Sequence, residues 1–87
     1  MVDLEQLMEF PCDYTIKVVG RAGDELVALV HTVVSRHAPE NVGDPQVRPS
    51  RHGRFVSVNL TFRLANPQQL YAIHTELNRS SRVRIIL

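Results

Sequence analysis

The chain has 87 residues, of which 44% are hydrophobic and 22% charged, a formal net charge of +1 and one cysteine. That length supports one small domain with one core, residues 1–87, and not two. Near-neutrality argues against a dedicated polyanion binder, and the lone Cys12 excludes the intramolecular disulfides of a secreted mini-domain.

No apolar run approaches the roughly 18 residues of a membrane span, so no membrane association is expected. The acidic opening "MVDLEQLMEF" lacks the basic start and apolar centre of a signal peptide, which makes the cytoplasm the expected compartment. Within "DLEQLMEF", Leu4, Leu7 and Met8 fall at helical spacing between a capping Asp3 and a terminating Pro11. A short N-terminal helix is expected there.

"YTIKVVG" alternates, with Tyr14, Ile16 and Val18 on one face and Thr15, Lys17 and Val19 on the other, the pattern of a half-buried strand. "DELVALVHTVVSRHAP" changes to steps of three and four through Leu26, Val27, Val30, Val33, Val34 and His37, and Pro39 ends it. Asp24 and Glu25 suit the positive end of that helix, and Arg36 and His37 the negative end. "QVRPSR" reads as a short strand, at an edge because Pro49 cannot donate to a ladder. "HGR" supplies a turn in which Gly53 can take positive φ.

"FVSVNLTFRL" is the clearest strand: Val56, Val58, Leu60, Phe62 and Leu64 share one face, and Phe55, Ser57, Asn59, Thr61 and Arg63 the other. "NPQQLYAIHTELN" opens with Asn66 as N-cap, Pro67 at the first helical position and Gln69 where a capping-box partner belongs. Leu70, Ile73, His74 and Leu77 form its inner stripe. "RVRIIL" closes the chain, with Val83, Ile85 and Leu87 expected inward and Arg82, Arg84 and Ile86 outward.

Strand, helix, strand, strand, helix, strand, with right-handed crossovers, specifies an α+β, two-layer, ferredoxin-like βαββαβ sandwich. Its four-stranded antiparallel sheet carries both helices on one face, with the first and third strands central and the second and fourth at the edges. The N-terminal helix is an addition to that plan.

The same fold serves RNA-recognition modules, which stack bases on aromatics of the two central strands. Set against their basic–Gly–aromatic–Gly–aromatic–Val–x–aromatic octamer, "RHGRFVSV" matches at Phe55 and Val56. Gly53 and Val58 occupy the other aromatic places, and Arg54 the second glycine place. On the first strand Thr15, Lys17 and Val19 offer no aromatic. Each missing stack forfeits about 1–3 kcal/mol per base, so nucleic acid is the less favoured partner. What remains is a candidate anion- or partner-binding surface composed of Lys17, Arg48, Arg51, Arg54, Phe55, Arg82 and Arg84, beside the plainer reading of a solvated face kept soluble by its charges.

"GRAGDEL" joins the first strand to the first helix, and glycines before a helix N-terminus can receive anions. It looks like the ligand loop of ACT regulatory domains, an Asp-Arg-Pro-Gly turn before a helical Leu. Gly20 stands for the Asp and Ala22 for the Pro, and one extra residue separates Gly23 from Leu26. Gly20, Arg21, Gly23 and Asp24 are therefore candidate small-ligand residues, beside the plainer reading of a turn that needs glycine. His31, His37, His52 and His74 contain no i, i+4 pair, Cys12 reads as a small core residue, and no serine has an evident base. Neither a metal, a cofactor nor an enzymatic activity is expected.

The segments "LMEFPCDYTIKVVG", "RHAP", "VRPSRHGRFVSVNLTF" and "VRIIL" together resemble the YbeD-like family of small bacterial proteins. The resemblance implies a ferredoxin-like domain similar to ACT-type regulatory modules, and carries no catalytic residues. The reading that follows is a non-enzymatic regulatory or interaction domain. A homodimer, a protein or a small molecule are its candidate partners, and weak nucleic-acid contact through the basic open sheet face and the hairpin between the second and third strands is the alternative.

Overall fold

The computed structural model describes residues 9–87 and contains, in chain order, β1 (Cys12–Arg21), α1 (Asp24–His37), β2 (Gln46–Pro49), β3 (Phe55–Leu64), α2 (Pro67–Asn78) and β4 (Val83–Ile86). The expected N-terminal helix, apart from its last two positions, lies outside the described residues. The strands form one antiparallel sheet in the order β2-β3-β1-β4, the ferredoxin-like arrangement. β1 and β3 pair over ten positions, from Cys12 opposite Leu64 to Arg21 opposite Phe55.

Alternation dictates which face is buried. Val56, Val58, Leu60, Phe62 and Leu64 are buried beside Ile16 and Val18 of β1. The two helices cover them with Leu26, Val30, Val33 and Val34 from α1 and Leu70, Ile73 and Leu77 from α2. The Tyr14 ring tilts against Phe62 on the same face, their centroids 5.9 Å apart. Three valines in the buried stripe of α1 restrict its side-chain rotamers, so packing on the sheet is what holds that helix.

The helix ends are secured differently. Asn66 Oδ1 accepts the Gln69 N–H at 3.0 Å, and Gln69 Oε1 reaches back to the Ala65 N–H at 2.8 Å, one residue before the usual capping-box donor. Gly23, at φ 138°, begins α1 with no side-chain cap; Asp24 and Glu25 supply negative charge in the first turn instead. At the other end of α1, Arg36 and His37 both hold Glu76 of α2, with His37 Nε2 2.8 Å from Glu76 Oε1. Hydrogen bonding from His37, reinforced by Arg36, holds the Glu76 carboxyl below its ordinary pKa of about 4.5.

β4 departs from the expected alternation. Val18 faces Ile86 and Val19 faces Ile85, but Gly20 faces Val83, so Arg84 is an extra residue in a β-bulge. The bulge reverses the phase: Val83 and Ile86, three apart, both pack against the core, while Ile85 points to the open face and is 52% exposed. Leu87 exchanges two backbone hydrogen bonds with Lys17 and therefore shares its open face. The inward placement expected of Ile85 and Leu87, and the outward placement expected of Ile86, are corrected by this one insertion.

Both edges match expectation, β2 and β4 lying outermost. The Ser50 N–H donates to the Phe55 carbonyl at 2.7 Å, which fixes the alternation of the β2–β3 ladder. By that alternation the peptide groups of Val47 and Pro49 point away from β3, so Pro49 lacks a donor only where none is needed. Beyond β2, the loop at residues 40–43 continues the edge: Glu40 accepts from Arg63 and Gly43 donates to Thr61.

Two outcomes follow from these contacts. Asn66→Ala should cost about 1 kcal/mol in urea unfolding, and Phe62→Ala about 3–5 kcal/mol. Glu76→Gln should lower stability at neutral pH. The folded-state pKa of Glu76 lies below the unfolded one, so its contribution is complete above the unfolded carboxylate range and disappears as pH falls through the folded value. Melting curves of the two proteins should therefore converge in acid, and a constant difference would show that the Arg36–Glu76–His37 cluster is not the cause.

Candidate functional site

The face of the sheet not covered by helices divides in two. Toward the start of β1, opposed residues satisfy one another. Thr15 and Thr61 hydroxyls lie 2.7 Å apart, and Arg63 Nη1 donates to Asp13 Oδ1 at 3.2 Å. Toward the end of β1 the pattern changes. Lys17, Arg21, Arg48, Arg54 and Arg84 make no ion pair among the described residues, which do pair Arg36, Arg63 and Arg82.

Arg21, Arg54 and Arg84 line one cleft with Phe55, and Lys17 and Arg48 line a second one further along the strands. Arg21 is directly opposite Phe55 in the ladder, Arg48 opposite Ser57, and Lys17 opposite Asn59. Arg84, pushed out by the bulge, lies over the Phe55 ring with its guanidinium carbon 5.6 Å from the centroid. Such an exposed cation–π contact is worth about 0.5–1 kcal/mol. A charge-assisted hydrogen bond is worth roughly 1.5–3 kcal/mol, so an arriving anion can engage Arg84 in preference to the ring.

Shallow clefts mark this half. One, of about 430 Å³, lies among Lys17, Gln46, Arg48, Ser57 and Asn59. A second, of about 330 Å³, is lined by Arg21, Ala22, Arg54, Phe55 and Arg84. A third, of about 630 Å³, holds Arg51 and His52 of the hairpin turn together with Arg54 and Phe55. Along the β4 side of the same face run Val19, Ile85 and Leu87, the last 64% exposed.

Of the expected surface residues, Lys17, Arg48, Arg54, Phe55 and Arg84 are thus brought together, with Arg51 at the margin. Arg82 is not part of the set: it lies in the turn before β4, and its guanidinium pairs with Glu25 Oε2 of α1 at 3.3 Å. The exposed aliphatic strip of Ile85 and Leu87 was hidden from sequence reasoning by the bulge in β4.

The loop of residues 20–24 has tight structural duties. A Cβ on Gly20 would lie 2.2 Å from the Arg82 carbonyl oxygen, so glycine is required for β4 to approach. The Arg21 N–H donates to that same carbonyl and the Ala22 N–H to the Arg54 carbonyl, both at 3.0 Å. Two donors that an anion would use are therefore already engaged. Gly23 provides the positive φ that starts α1.

Elsewhere two serine hydroxyls have structural partners. Ser50 Oγ accepts from the Phe55 N–H and Ser80 Oγ from the Arg82 N–H, each closing a turn. Burial lowers the pKa of His74, whose Nε2 has no hydrogen-bond partner among the described residues. No three His, Cys, Asp or Glu side chains among the described residues gather as metal ligands, and no helix there is long and apolar enough to cross a membrane.

The fold and its uncovered, arginine-ringed sheet define a small ferredoxin-like module, and comparison with known proteins agrees with that class. The family model described as "Protein of unknown function (DUF493)" matches residues 5–87. UPF0250 protein plu1293 of Photorhabdus laumondii is 43% identical over 84 residues, covering 97% of this chain and 95% of that one. UPF0250 protein PC1_1177 of Pectobacterium carotovorum is 44% identical over 86 residues, with the same coverage. The chain belongs to this DUF493/UPF0250 family of small bacterial proteins, the YbeD-like family its motifs resemble. The solution structure of HP0495 from H. pylori superposes with a TM-score of 0.76 at 15% identity, over 92% of this chain and 85% of that one, and thereby shares the fold.

The close approach at Gly20 gives a direct test of the loop. Gly20→Ala should destabilise by about 3 kcal/mol, the upper range for overpacking. Gly53→Ala, at φ 72° with open space around it, should cost about 1–2 kcal/mol from backbone conformation alone. Equal costs in chemical denaturation would show that Arg82 yields readily and that Gly20 is not held there by packing.

Proposed function

We propose that this chain is a non-enzymatic interaction domain whose working surface is the cationic half of its open sheet face. The observation that carries the reading is that Lys17, Arg21, Arg48, Arg54 and Arg84 share one half of this face with Phe55, without ion pairs among the described residues, beside a half-face whose charges are paired. Cations without acidic partners give this half of the face a positive potential, which an anionic partner neutralises. The engagement of serine hydroxyls in turns supports the non-enzymatic part of the reading.

A photo-crosslinking residue at Ser57, in the centre of this surface, should give discrete adducts in cells. The same residue at His31, on the exposed side of α1, should not. Arg48→Glu with Arg84→Glu should abolish the Ser57 adducts while leaving the thermal midpoint near that of the native chain. Adducts from His31 alone would assign the interaction to the helices and remove the sheet from consideration.

A regulatory reading, in the manner of ACT-type modules, draws on the cleft of about 330 Å³ between Arg21, Arg54, Phe55 and Arg84, which borders the loop of residues 20–24. Its ligand would be a small carboxylate bound by guanidinium groups, with Gly23 and Asp24 at the margin. Titration with amino acids and small dicarboxylates should then shift the amide resonances of Arg21, Ala22 and Phe55, and no shift at those residues excludes it.

A further inference from the structure

We infer that the partner of this face is an acidic polypeptide segment that also carries aliphatic side chains. The inference rests on the interaction-domain reading above and specifies its partner. Two chemistries meet on one surface. Arg48, Lys17 and Arg84 present charge on β2, β1 and β4, and all three are exposed. Beside them Val19 and Ile85 face each other across the ladder, and Leu87 lies next to Lys17.

Ile85 and Leu87 remain 52% and 64% exposed, although the bulge buries Ile86 and Val83 from the same strand. A ligand that only neutralises guanidinium groups leaves that aliphatic strip in water. A polypeptide with carboxylates and branched aliphatic residues satisfies both halves, because apolar area removed from water contributes to affinity while carboxylates pair with arginine. Nucleic acid matches the cations but gives the aliphatic strip no counterpart, and Phe55 alone offers a single stacking ring, already covered on one side by Arg84. A second copy of the same face is excluded as occupant by charge, since it would set arginine against arginine.

The distribution of groups also orients the segment. Ser57 and Asn59 lie between the two chemistries, on the central strand, and offer hydrogen bonds without imposing charge. Carboxylates belong over Arg48, Lys17 and the Phe55 end, and aliphatic residues over Val19, Ile85 and Leu87. The surface is open-sided and extends across four strands, which suits a segment laid over it better than a small molecule enclosed within it.

Selection from random twelve-residue peptides displayed on phage, panned against the whole chain, tests this through the composition of the winners. The expected pool is rich in Asp and Glu together with Leu, Ile or Val. Its members should shift the amides of Lys17, Val19, Ser57 and Ile85. Arg84→Gln should weaken binding about tenfold, the loss of one charge-assisted hydrogen bond, and Ile85→Thr about fivefold, the loss of aliphatic contact.

Winners with no acidic excess, or binding unchanged by Ile85→Thr, would overturn the inference while leaving the face as the site. Retention of a random single-stranded oligonucleotide pool with shifts at Phe55, and no peptide winners, would assign the face to nucleic acid. If neither pool shifts any amide of the open face, the interaction-domain reading falls with it.

Discussion

Val56, Val58, Leu60, Phe62 and Leu64 must leave water on the same side of β3, and this requirement organises the molecule. A strand has a side-chain period of two, so a slip of one residue against β1 would carry all five to solvent. The ten-position pairing of β1 with β3 is therefore pinned, and with it the places where α1 and α2 can lie. The same alternation determines what the other face displays. Once the aliphatic residues are assigned to the core, Phe55, Ser57, Asn59, Thr61 and Arg63 have no choice but to look outward.

Most of this was legible in the residues. Pro49 announced an edge, Asn66 and Pro67 announced a helix start, and the alternation of β3 separated inside from outside before any coordinate was known. Local chemistry governs each of those features. The phase of β4 was not legible in the same way. "RVRIIL" reads as one uniform alternation, and that phase is interrupted by a bulge opposite Gly20, where β4 brings a carbonyl oxygen against a backbone without a side chain. The signal available in the sequence was the glycine itself, since a glycine at the buried end of a strand often marks a bulge or a close backbone approach.

The candidate surface inherits that mixed legibility. Lys17, Arg48 and Phe55 follow from simple alternation. The lift of Arg84 over Phe55 and the exposure of Ile85 follow from the bulge, while Arg82, in the turn before β4, pairs with Glu25 instead. Likewise the grip of Arg36 and His37 on Glu76 joins residues about forty positions apart, and only the docking of the two helices brings them together. Family membership adds the fold and leaves the chemistry of the face to be argued from these groups, because the arrangement of layers is compatible with many activities.

The two margins of the sheet are unequal, and that inequality limits how copies of the chain could associate. At β2 the proline leaves only one outward donor, from Val47, and the neighbouring loop occupies the rest of that side. At β4 the outward peptide groups of Ile86 meet no such obstruction among the described residues. A sheet able to accept a strand at one margin alone can be extended once, by a partner related through a two-fold axis, and is then closed. Repeated head-to-tail growth needs two receptive margins, and Pro49 together with the adjoining loop makes the β2 margin an unreceptive one.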